Sequence, residues 1–322
     1  MKVLANDGIA PAGKAKLEAA GHTVITDKVN QEDLVAYMNA ENIDVLLVRS
    51  ATTARKELID ACPNLKMIGR GGVGMDNIDV QYGRDKGLQV FNTPGASSQA
   101  VAELVIAHLF GLSRSLNQAN RSMPDEGKTE FSTLKKAYAK GQELRGKTIG
   151  IIGFGRIGQF TARYALGLGM KVVAHDTTDF TAEIPIEING TVVHWEKVST
   201  CSLDELFQKA DIISLNVPKQ SDGSAVIGKA EIEKMKNGVI LINTSRGGTI
   251  EEGDLIAALE SGKVRAAALD VFENEPSPRE DLLKMDALSL SPHIGAATLE
   301  AQSRIGEELA DFIIEHSEKS LA

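Results

Sequence analysis

The chain has 322 residues, of which 43% are hydrophobic and 25% are charged, values typical of a soluble globular protein. This length favours two domains. With 35 basic and 44 acidic residues the net charge is −9, and no basic stretch indicates a nucleic-acid partner. No apolar run predicts a membrane span or a secretory signal. Two distant cysteines, Cys62 and Cys201, indicate neither a disulfide framework nor a metal site. We therefore expect a cytoplasmic protein without metal.

The first part of the chain alternates short β-branched runs with stretches of helical period. The expected strands are residues 2–5, 23–25, 44–48, 67–68 and 89–91, and the expected helices lie near 14–20, 32–38 and 56–61. Continuous apolar strands are typical of a parallel sheet covered by helices on both faces. A doubly wound, flavodoxin-like domain is therefore predicted for this part of the chain.

A second series of the same kind begins at Lys147. Its expected strands are residues 148–152, 171–174, 212–215, 239–242 and 264–269, followed by a short run at 288–291. Two βαβ series predict an α/β protein with two doubly wound parallel sheets, the second of the Rossmann type.

The segments around these two series set the domain boundaries. Ser97 or Ser98 can cap one long helix over residues 99–120, and the polar segment 121–141 is predicted as a loop or short exposed helix. A terminal helix over residues 299–315 is expected to cross back to the first domain. The first domain would then comprise residues 1–97 and 296–322, and the second domain residues 98–295. Asn189-Gly190, within the long connection 177–199, predicts a β-hairpin.

A glycine-rich turn at residues 153–158 is the first specific motif. Gly153, Gly155 and Gly158 follow a predicted strand and open a predicted helix, which is the context that a dinucleotide site needs. The first glycine permits the turn, the second admits a pyrophosphate, and the third lets helix and strand pack closely. Asp176 ends the next strand, where a carboxylate accepts ribose hydroxyls and repels a 2′-phosphate. NAD rather than NADP is therefore predicted.

Three polar residues follow predicted strands of the same domain. Arg246, Glu275 and His293 should lie near the cofactor, because ligands of open α/β sheets bind beyond the carboxyl ends of the strands. Hydride transfer to or from a ketone requires a proton donor or acceptor at the oxygen, and histidine suits that task. A carboxylate can orient the imidazole, and an arginine can hold a substrate carboxylate. Each of these residues alone could be structural, but together they form a coherent catalytic set.

These motifs, in this order, resemble the D-isomer-specific 2-hydroxyacid dehydrogenase family over nearly the whole chain. The resemblance implies Arg246, Glu275 and His293 as the catalytic set, and a homodimer built through the long helix after Ser98. It also implies cofactor contacts in the second domain at Arg156, Ile157, Asp176, Thr244, Arg246 and Asp270. The other expected cofactor contacts are Gly153, Gly155, Gly158, Asn216, Val217, Pro218, Ser245, His293 and Gly295.

Four stretches, residues 48–52, 69–79, 92–95 and 102–103, resemble within that family the D-3-phosphoglycerate dehydrogenases, in a short form without a C-terminal regulatory domain. The resemblance implies that the first domain, residues 1–97 and 296–322, binds the substrate and that the second, residues 98–295, binds NAD. Arg49 and Arg70 each follow a predicted strand, and the glycine run after Arg70 can form a nest of N–H groups for an anion. The expected substrate-binding residues are Arg49, Ser50, Arg70, Gly71, Gly72, Val73, Gly74 and Arg246.

The sequence therefore predicts NAD-dependent oxidation of 3-phosphoglycerate, the first step of phosphorylated serine synthesis. Another D-2-hydroxy acid, such as 4-phosphoerythronate, glycerate or lactate, is the alternative. A more remote one is a non-catalytic NAD-sensing protein that resembles the corepressors related to this family. Lys135-Lys136-Ala137-Tyr138 stands where family members often carry a tryptophan, so this part of the resemblance is weaker.

Overall fold

The computed structural model describes residues 1–319. It divides into two compact units, one formed by Met1–Ser98 together with the described residues from Ala296 onwards, and the other by Gln99–Gly295. We call them the first and the second unit. No helix within residues 1–319 is both long enough and apolar enough to cross a membrane.

The first unit contains one five-stranded sheet in which every pair is parallel. Its strands are β1 (Lys2–Ala5), β2 (Thr23–Ile25), β3 (Val45–Val48), β4 (Met67–Arg70) and β5 (Gln89–Asn92). Their order, β2-β1-β3-β4-β5, is the flavodoxin-like order, as predicted. The intervening helices are α1 (Pro11–Ala19), α2 (Leu34–Ala40), α3 (Lys56–Ala61) and α4 (Val80–Asp85). β3 is buried along its whole length, which explains its purely apolar sequence.

The second unit begins with three helices, α5 (Ser98–Ser113), α6 (Leu116–Glu126) and α7 (Phe131–Ala137). The prediction of one helix over residues 99–120 is therefore wrong. The chain breaks at Ser115, whose φ of 51° is left-handed and cannot continue an α-helix. For the polar segment 121–141 the sequence predicted a loop or a short exposed helix, and the structure has the helical alternative: the end of α6 and the whole of α7 lie there, and most of the segment is exposed.

The sheet of the second unit has six parallel strands. They are β6 (Thr148–Ile152), β7 (Lys171–His175), β10 (Ile212–Leu215), β11 (Val239–Asn243), β12 (Val264–Leu269) and β13 (Leu288–Leu290). The order is β13-β12-β11-β10-β6-β7, and Thr200 adds an isolated parallel bridge to Ala174 beyond β7. This is the strand order of a Rossmann fold, in which the bridge at Thr200 takes the position of the third strand of that order. The helices are α8 (Arg156–Gly167), α9 (Leu203–Lys209), α10 (Lys229–Lys234), α11 (Glu252–Glu260) and α12 (Glu280–Leu283).

A separate antiparallel hairpin occupies the long connection after β7. It consists of β8 (Thr181–Ile188) and β9 (Thr191–Ser199), joined through Asn189 and Gly190. Both turn residues have positive φ, 52° and 76°, which is the geometry that an Asn-Gly pair favours in a two-residue turn. The predicted hairpin is confirmed.

The last helix, α13 (Leu299–Lys319), belongs to the first unit and packs against α1. The two helices approach closely at Gly13: a Cβ on this residue would lie 2.3 Å from the carbonyl oxygen of Gly306. Phe312 of α13 stacks on Phe91 of β5, with ring centroids 3.8 Å apart. These contacts cover one face of the first sheet with the end of the chain.

Candidate active site

The glycine-rich turn joins β6 to α8. A Cβ on Gly153 would lie 2.5 Å from the carbonyl oxygen of Asn216, and one on Gly158 would lie 2.3 Å from the carbonyl oxygen of Gly153. Gly155 precedes the first residue of α8, and a Cβ there would meet open space. Two of the glycines are therefore required by the packing of the fold. Gly155, the other glycine, leaves the start of α8, with its N–H groups and the exposed Arg156, open to a phosphate ligand.

Two buried polar atoms at the ends of β10 and β11 test whether NAD fits this surface. Oδ1 of Asn216 and Oγ1 of Thr244 have no hydrogen-bond partner among the described residues. Buried polar atoms normally have one. NAD has hydroxyl and amide groups that would supply these partners. Val217 and Pro218 continue from Asn216 along the same edge of the sheet.

Asp176 lies directly after β7 and contacts the glycine-rich turn. Its Oδ2 accepts a hydrogen bond of 2.7 Å from the backbone N–H of Phe154, and its Oδ1 accepts one of 2.8 Å from Thr177. The carboxylate is thus fixed beside the turn where the ribose of a dinucleotide lies in this kind of fold. A 2′-phosphate placed there would meet a negative charge.

The turn after β11 positions Arg246. Asn243 accepts hydrogen bonds from the N–H and hydroxyl of Ser245, at 3.1 and 2.8 Å, and its side-chain amide donates to the carbonyl of Arg246 at 3.0 Å. Gly247 lies so close to the β12 loop that a Cβ would be 1.7 Å from the carbonyl oxygen of Phe272. The predicted contact residue Ser245 therefore uses its hydroxyl inside the turn. Asn243 was not predicted as a site residue, although a polar residue ending an apolar strand was a signal for it.

Glu275 and His293 form the pair that the sequence predicted. Nδ1 of His293 lies 2.8 Å from Oε2 of Glu275, and Oε1 of Glu275 accepts a hydrogen bond from Phe272 N–H at 2.9 Å. Both side chains remain partly exposed. Burial raises the pKa of Glu275, but the hydrogen bonds from His293 and Phe272 and the charges of His293 and Arg246 outweigh it, so the pKa is lowered overall. The arrangement is an ionised carboxylate that orients an imidazole.

Asp270, at the end of β12, is 1% exposed and bonds to the loop that carries His293. Its carboxylate accepts hydrogen bonds from Ile294 N–H at 2.8 Å and Gly295 N–H at 2.9 Å. Its carbonyl accepts one from His293 N–H at 2.8 Å. Asp270 and Gly295 were predicted as cofactor contacts, and the structure shows them holding the loop that carries His293.

The predicted substrate residues other than Arg246 lie at the carboxyl ends of β3 and β4 in the first unit. Arg49 and Gly71 line a cavity of about 250 Å³ in this unit, together with Asp7 and residues of α13. The Asp7 carboxylate accepts hydrogen bonds from Arg49 N–H and from Thr52, which fixes the turn that follows β3. Ser50, in the same turn, is exposed.

The glycine run after Arg70 differs from the predicted nest. The N–H of Gly71 donates to the carbonyl of Val48, and that of Gly72 donates to Thr93 Oγ1 at 2.8 Å. A Cβ on Gly72, whose φ is 141°, would lie 1.7 Å from Nη1 of Arg70. Gly72 therefore makes room for the Arg70 guanidinium, and these two N–H groups are already bonded within the unit. Any role of the run as an anion nest falls to Val73 and Gly74.

Residues 106–295 match the family model described as D-isomer specific 2-hydroxyacid dehydrogenase, NAD binding domain. The chain belongs to the D-isomer-specific 2-hydroxyacid dehydrogenases, and its cofactor is NAD. The family resemblance, the fold class and the cofactor predicted from the sequence are confirmed.

Individual relatives differ in what they act on. A hydroxypyruvate reductase from Thermotoga maritima is 44% identical over 293 residues, covering 90% of this chain and 89% of that protein. A D-3-phosphoglycerate dehydrogenase from Archaeoglobus fulgidus is 39% identical over 316 residues, covering 98% of this chain but 57% of that protein. The solved D-lactate dehydrogenase from Aquifex aeolicus, complexed with NAD and lactic acid, has a TM-score of 0.77 at 27% identity. That match covers 99% of this chain and 96% of that one. The chain thus spans little more than half the length of the Archaeoglobus fulgidus phosphoglycerate dehydrogenase.

Proposed function

We propose that the protein oxidises 3-phospho-D-glycerate to 3-phosphohydroxypyruvate with NAD, the first step of phosphorylated L-serine biosynthesis. The observation that carries the chemistry is the 2.8 Å contact between Glu275 and His293 in the NAD-binding unit. A protein that only senses NAD would not need an ionised carboxylate on a partly exposed imidazole, so the contact favours an enzyme over the corepressor-like alternative.

The proton chemistry follows from this pair. His293 takes the proton of the substrate hydroxyl at Nε2, since Nδ1 faces Glu275. Glu275 stabilises the imidazolium that forms, and Arg246 binds the substrate carboxylate and polarises the adjacent oxygen. Arg156 and the start of α8 hold the diphosphate of NAD, and Asp176 holds its ribose. NAD, when bound, supplies the acceptor for the hydride.

Arginines of the first unit support a phosphorylated substrate. Arg49 lines the cavity at the strand ends, and Gly72 leaves space for the Arg70 guanidinium beside the same strands. Since Arg246 serves the substrate carboxylate, these two arginines can serve a phosphate, which prefers arginine partners. A substrate that carries both a carboxylate and a phosphate would account for arginines of both kinds.

A second candidate is the reduction of hydroxypyruvate to D-glycerate. It is favoured by the Thermotoga maritima relative, which is named a hydroxypyruvate reductase and matches this chain over most of both lengths. The same Glu275–His293 pair would then deliver the proton to the keto oxygen. The two candidates differ in the direction of the reaction and in whether the substrate carries a phosphate.

One assay separates them. NADH oxidation is measured with 3-phosphohydroxypyruvate, hydroxypyruvate, pyruvate and glyoxylate, and NAD reduction with 3-phosphoglycerate and D-glycerate. The proposal requires the highest kcat/KM for the phosphorylated pair. Equal or higher efficiency on the unphosphorylated pair would replace it by the second candidate, and turnover of none of these acids would contradict both.

We also propose a cytoplasmic homodimer built through the helices that follow Ser98. Large apolar side chains are exposed on α5, α6 and α7, namely Phe110, Leu116, Met123 and Phe131. Such side chains on neighbouring helices are typical of a subunit interface. Analytical ultracentrifugation tests this, and a Leu116→Asp, Phe131→Asp double variant should shift the sedimentation from dimer to monomer. A wild-type monomer would contradict the proposal.

A further inference from the structure

A buried chain of polar side chains continues from the histidine loop into the second unit. Ser291 Oγ donates a hydrogen bond of 2.6 Å to Oδ1 of Asp270. Nε2 of His108 lies 3.0 Å from the same Ser291 hydroxyl, and Nδ1 of His108 lies 2.6 Å from Oγ of Ser289. His108 is only 7% exposed, and all four residues are buried. Buried polar groups arranged in this way make a continuous, fully bonded network.

The carboxylate at one end determines the direction of every proton in this network. Ser291 donates its single hydroxyl proton to Oδ1 of Asp270, whose two carboxylate oxygens also accept the N–H groups of Ile294 and Gly295. Ser291 Oγ must then accept from Nε2–H of His108. In a neutral imidazole Nδ1 carries no proton, so it accepts from the hydroxyl of Ser289. Burial lowers the pKa of His108 more than the charge of Asp270 raises it, which is consistent with a neutral ring.

The Asp270 end of the network carries the backbone of the reactive histidine. Asp270 binds the N–H groups of His293, Ile294 and Gly295. His293 has a φ of 55°, a conformation that residues with a side chain rarely adopt, so it must be maintained by the surrounding structure. A shift of the Asp270 carboxylate would therefore move the imidazole relative to the substrate.

We propose that His108 is a positioning residue, which acts through Ser291 and Asp270 to hold His293 in its reactive orientation. It does so as the neutral tautomer with its proton on Nε2. His108 itself does not touch the reacting atoms. This inference rests on the proposed role of His293 as the proton acceptor.

The first test compares His108→Leu, which removes both contacts, with His108→Gln, whose amide can still donate to Ser291 and accept from Ser289. We expect kcat of His108→Leu to fall about tenfold, since a small misplacement of a reacting group is costly. The dissociation constant of NADH should change less than about threefold, because the glycine-rich turn and Asp176 remain intact. His108→Gln should recover most of the lost kcat.

Leu112→Ala is the matched control. Leu112 lies on the same helix and is buried in the same apolar core, but it is outside the polar chain. This variant should lose thermal stability and keep its kcat. An equal loss of kcat in Leu112→Ala, wild-type kcat in His108→Leu, or no recovery in His108→Gln would overturn the proposal.

A second test does not depend on turnover. The ¹⁵N shifts of the imidazoles in labelled wild-type protein, with the His108 signals assigned by comparison with His108→Gln, should show an N–H at Nε2 and an unprotonated Nδ1. An imidazolium or the opposite tautomer at pH 7 would overturn the network. If His108→Leu does not fold, Ser289→Ala takes its place: the proposal requires a lowered kcat and an altered Nδ1 shift, and no change in either would contradict it. Normal turnover in His293→Ala would instead contradict the proposed function, while the tautomer result would still describe the network.

Discussion

Glu275 and His293 come from two different loops, one after β12 and one after β13, yet Oε2 of the first lies 2.8 Å from Nδ1 of the second. The remaining carboxylate oxygen is held by Phe272 N–H, so the carboxylate cannot rotate freely. The opposite ring nitrogen, Nε2, faces away from the carboxylate. An imidazole oriented at one nitrogen and accessible at the other has the geometry that a general base requires.

Replacing His293 or Glu275 should affect different aspects of the rate. His293→Ala should lower kcat by about 10² to 10⁴ while NAD binding is retained, because the proton acceptor is lost. Glu275→Gln should move the acid limb of the pH–rate profile to lower pH, since the neutral amide no longer stabilises the imidazolium. Steady-state rates between pH 5 and 9 test both. An unchanged profile in Glu275→Gln would remove the carboxylate from the mechanism.

Replacing Asp176 should change the choice of cofactor. Asp176→Ala removes the negative charge beside the glycine-rich turn together with its bond to Phe154 N–H. We expect NAD to bind about 10- to 150-fold more weakly, from a loss of about 1.5–3 kcal/mol for a charge-assisted contact, and the preference over NADP to narrow. Titrations with NAD and NADP measure this, with Asp179→Ala as a control two residues beyond Thr177. A wild-type preference for NADP would be incompatible with this role of Asp176.

Replacing the arginines of the first unit should affect only phosphorylated substrates. Arg49→Ala or Arg70→Ala should raise the KM for 3-phosphoglycerate at least about tenfold, because each removes a charge-assisted contact. Activity on D-glycerate should scarcely change, and the advantage of the phosphorylated substrate should shrink as salt increases. Arg55→Ala is a suitable control, since Arg55 forms an exposed ion pair with Asp79. Equal KM increases for both substrates would argue against a phosphate contact.

His108 should also make the fold sensitive to acid. Burial lowers its pKa in the folded protein, whereas the unfolded chain has the ordinary value of about 6.5. Below that pH the unfolded state binds a proton that the folded state does not, so the free energy of unfolding falls as the pH decreases. His108→Gln should flatten this dependence between pH 6.5 and the folded-state pKa. Urea unfolding, followed by circular dichroism at several pH values, measures the slope. Leu112→Ala should lower stability by a similar amount at each pH, and a His108→Gln slope equal to wild type would contradict the expectation.

The elements that the sequence predicted are those whose signal is local. Strand β3 reads as an uninterrupted apolar run because both of its faces are buried, and the Asn189-Gly190 turn is indicated by its own two residues. The glycine-rich turn could be predicted for the same reason. Gly153 is required there by its positive φ and by the nearby carbonyl of Asn216, which follows the neighbouring strand β10.

Features that depend on distant contacts were not predicted. His108 reads as an ordinary residue of an apolar helix, and its partners Ser289 and Ser291 lie 181 and 183 positions further along the chain. The glycine run after Arg70 looked like an anion nest because the sequence does not show that the carbonyl of Val48 and the hydroxyl of Thr93 take two of its N–H groups. The break at Ser115 is likewise unmarked, since serine has no general preference for left-handed backbone.

The hairpin gives the protein an unusual optical property. Trp195, the single tryptophan of the chain, lies on β9 with 54% of its surface exposed, outside the apolar cores of both units. Its indole is already in contact with water in the folded state, so its emission should be red-shifted before any denaturant is added. Intrinsic fluorescence will therefore describe the surroundings of one surface hairpin, and it can serve as a built-in probe of anything that comes to cover that strand.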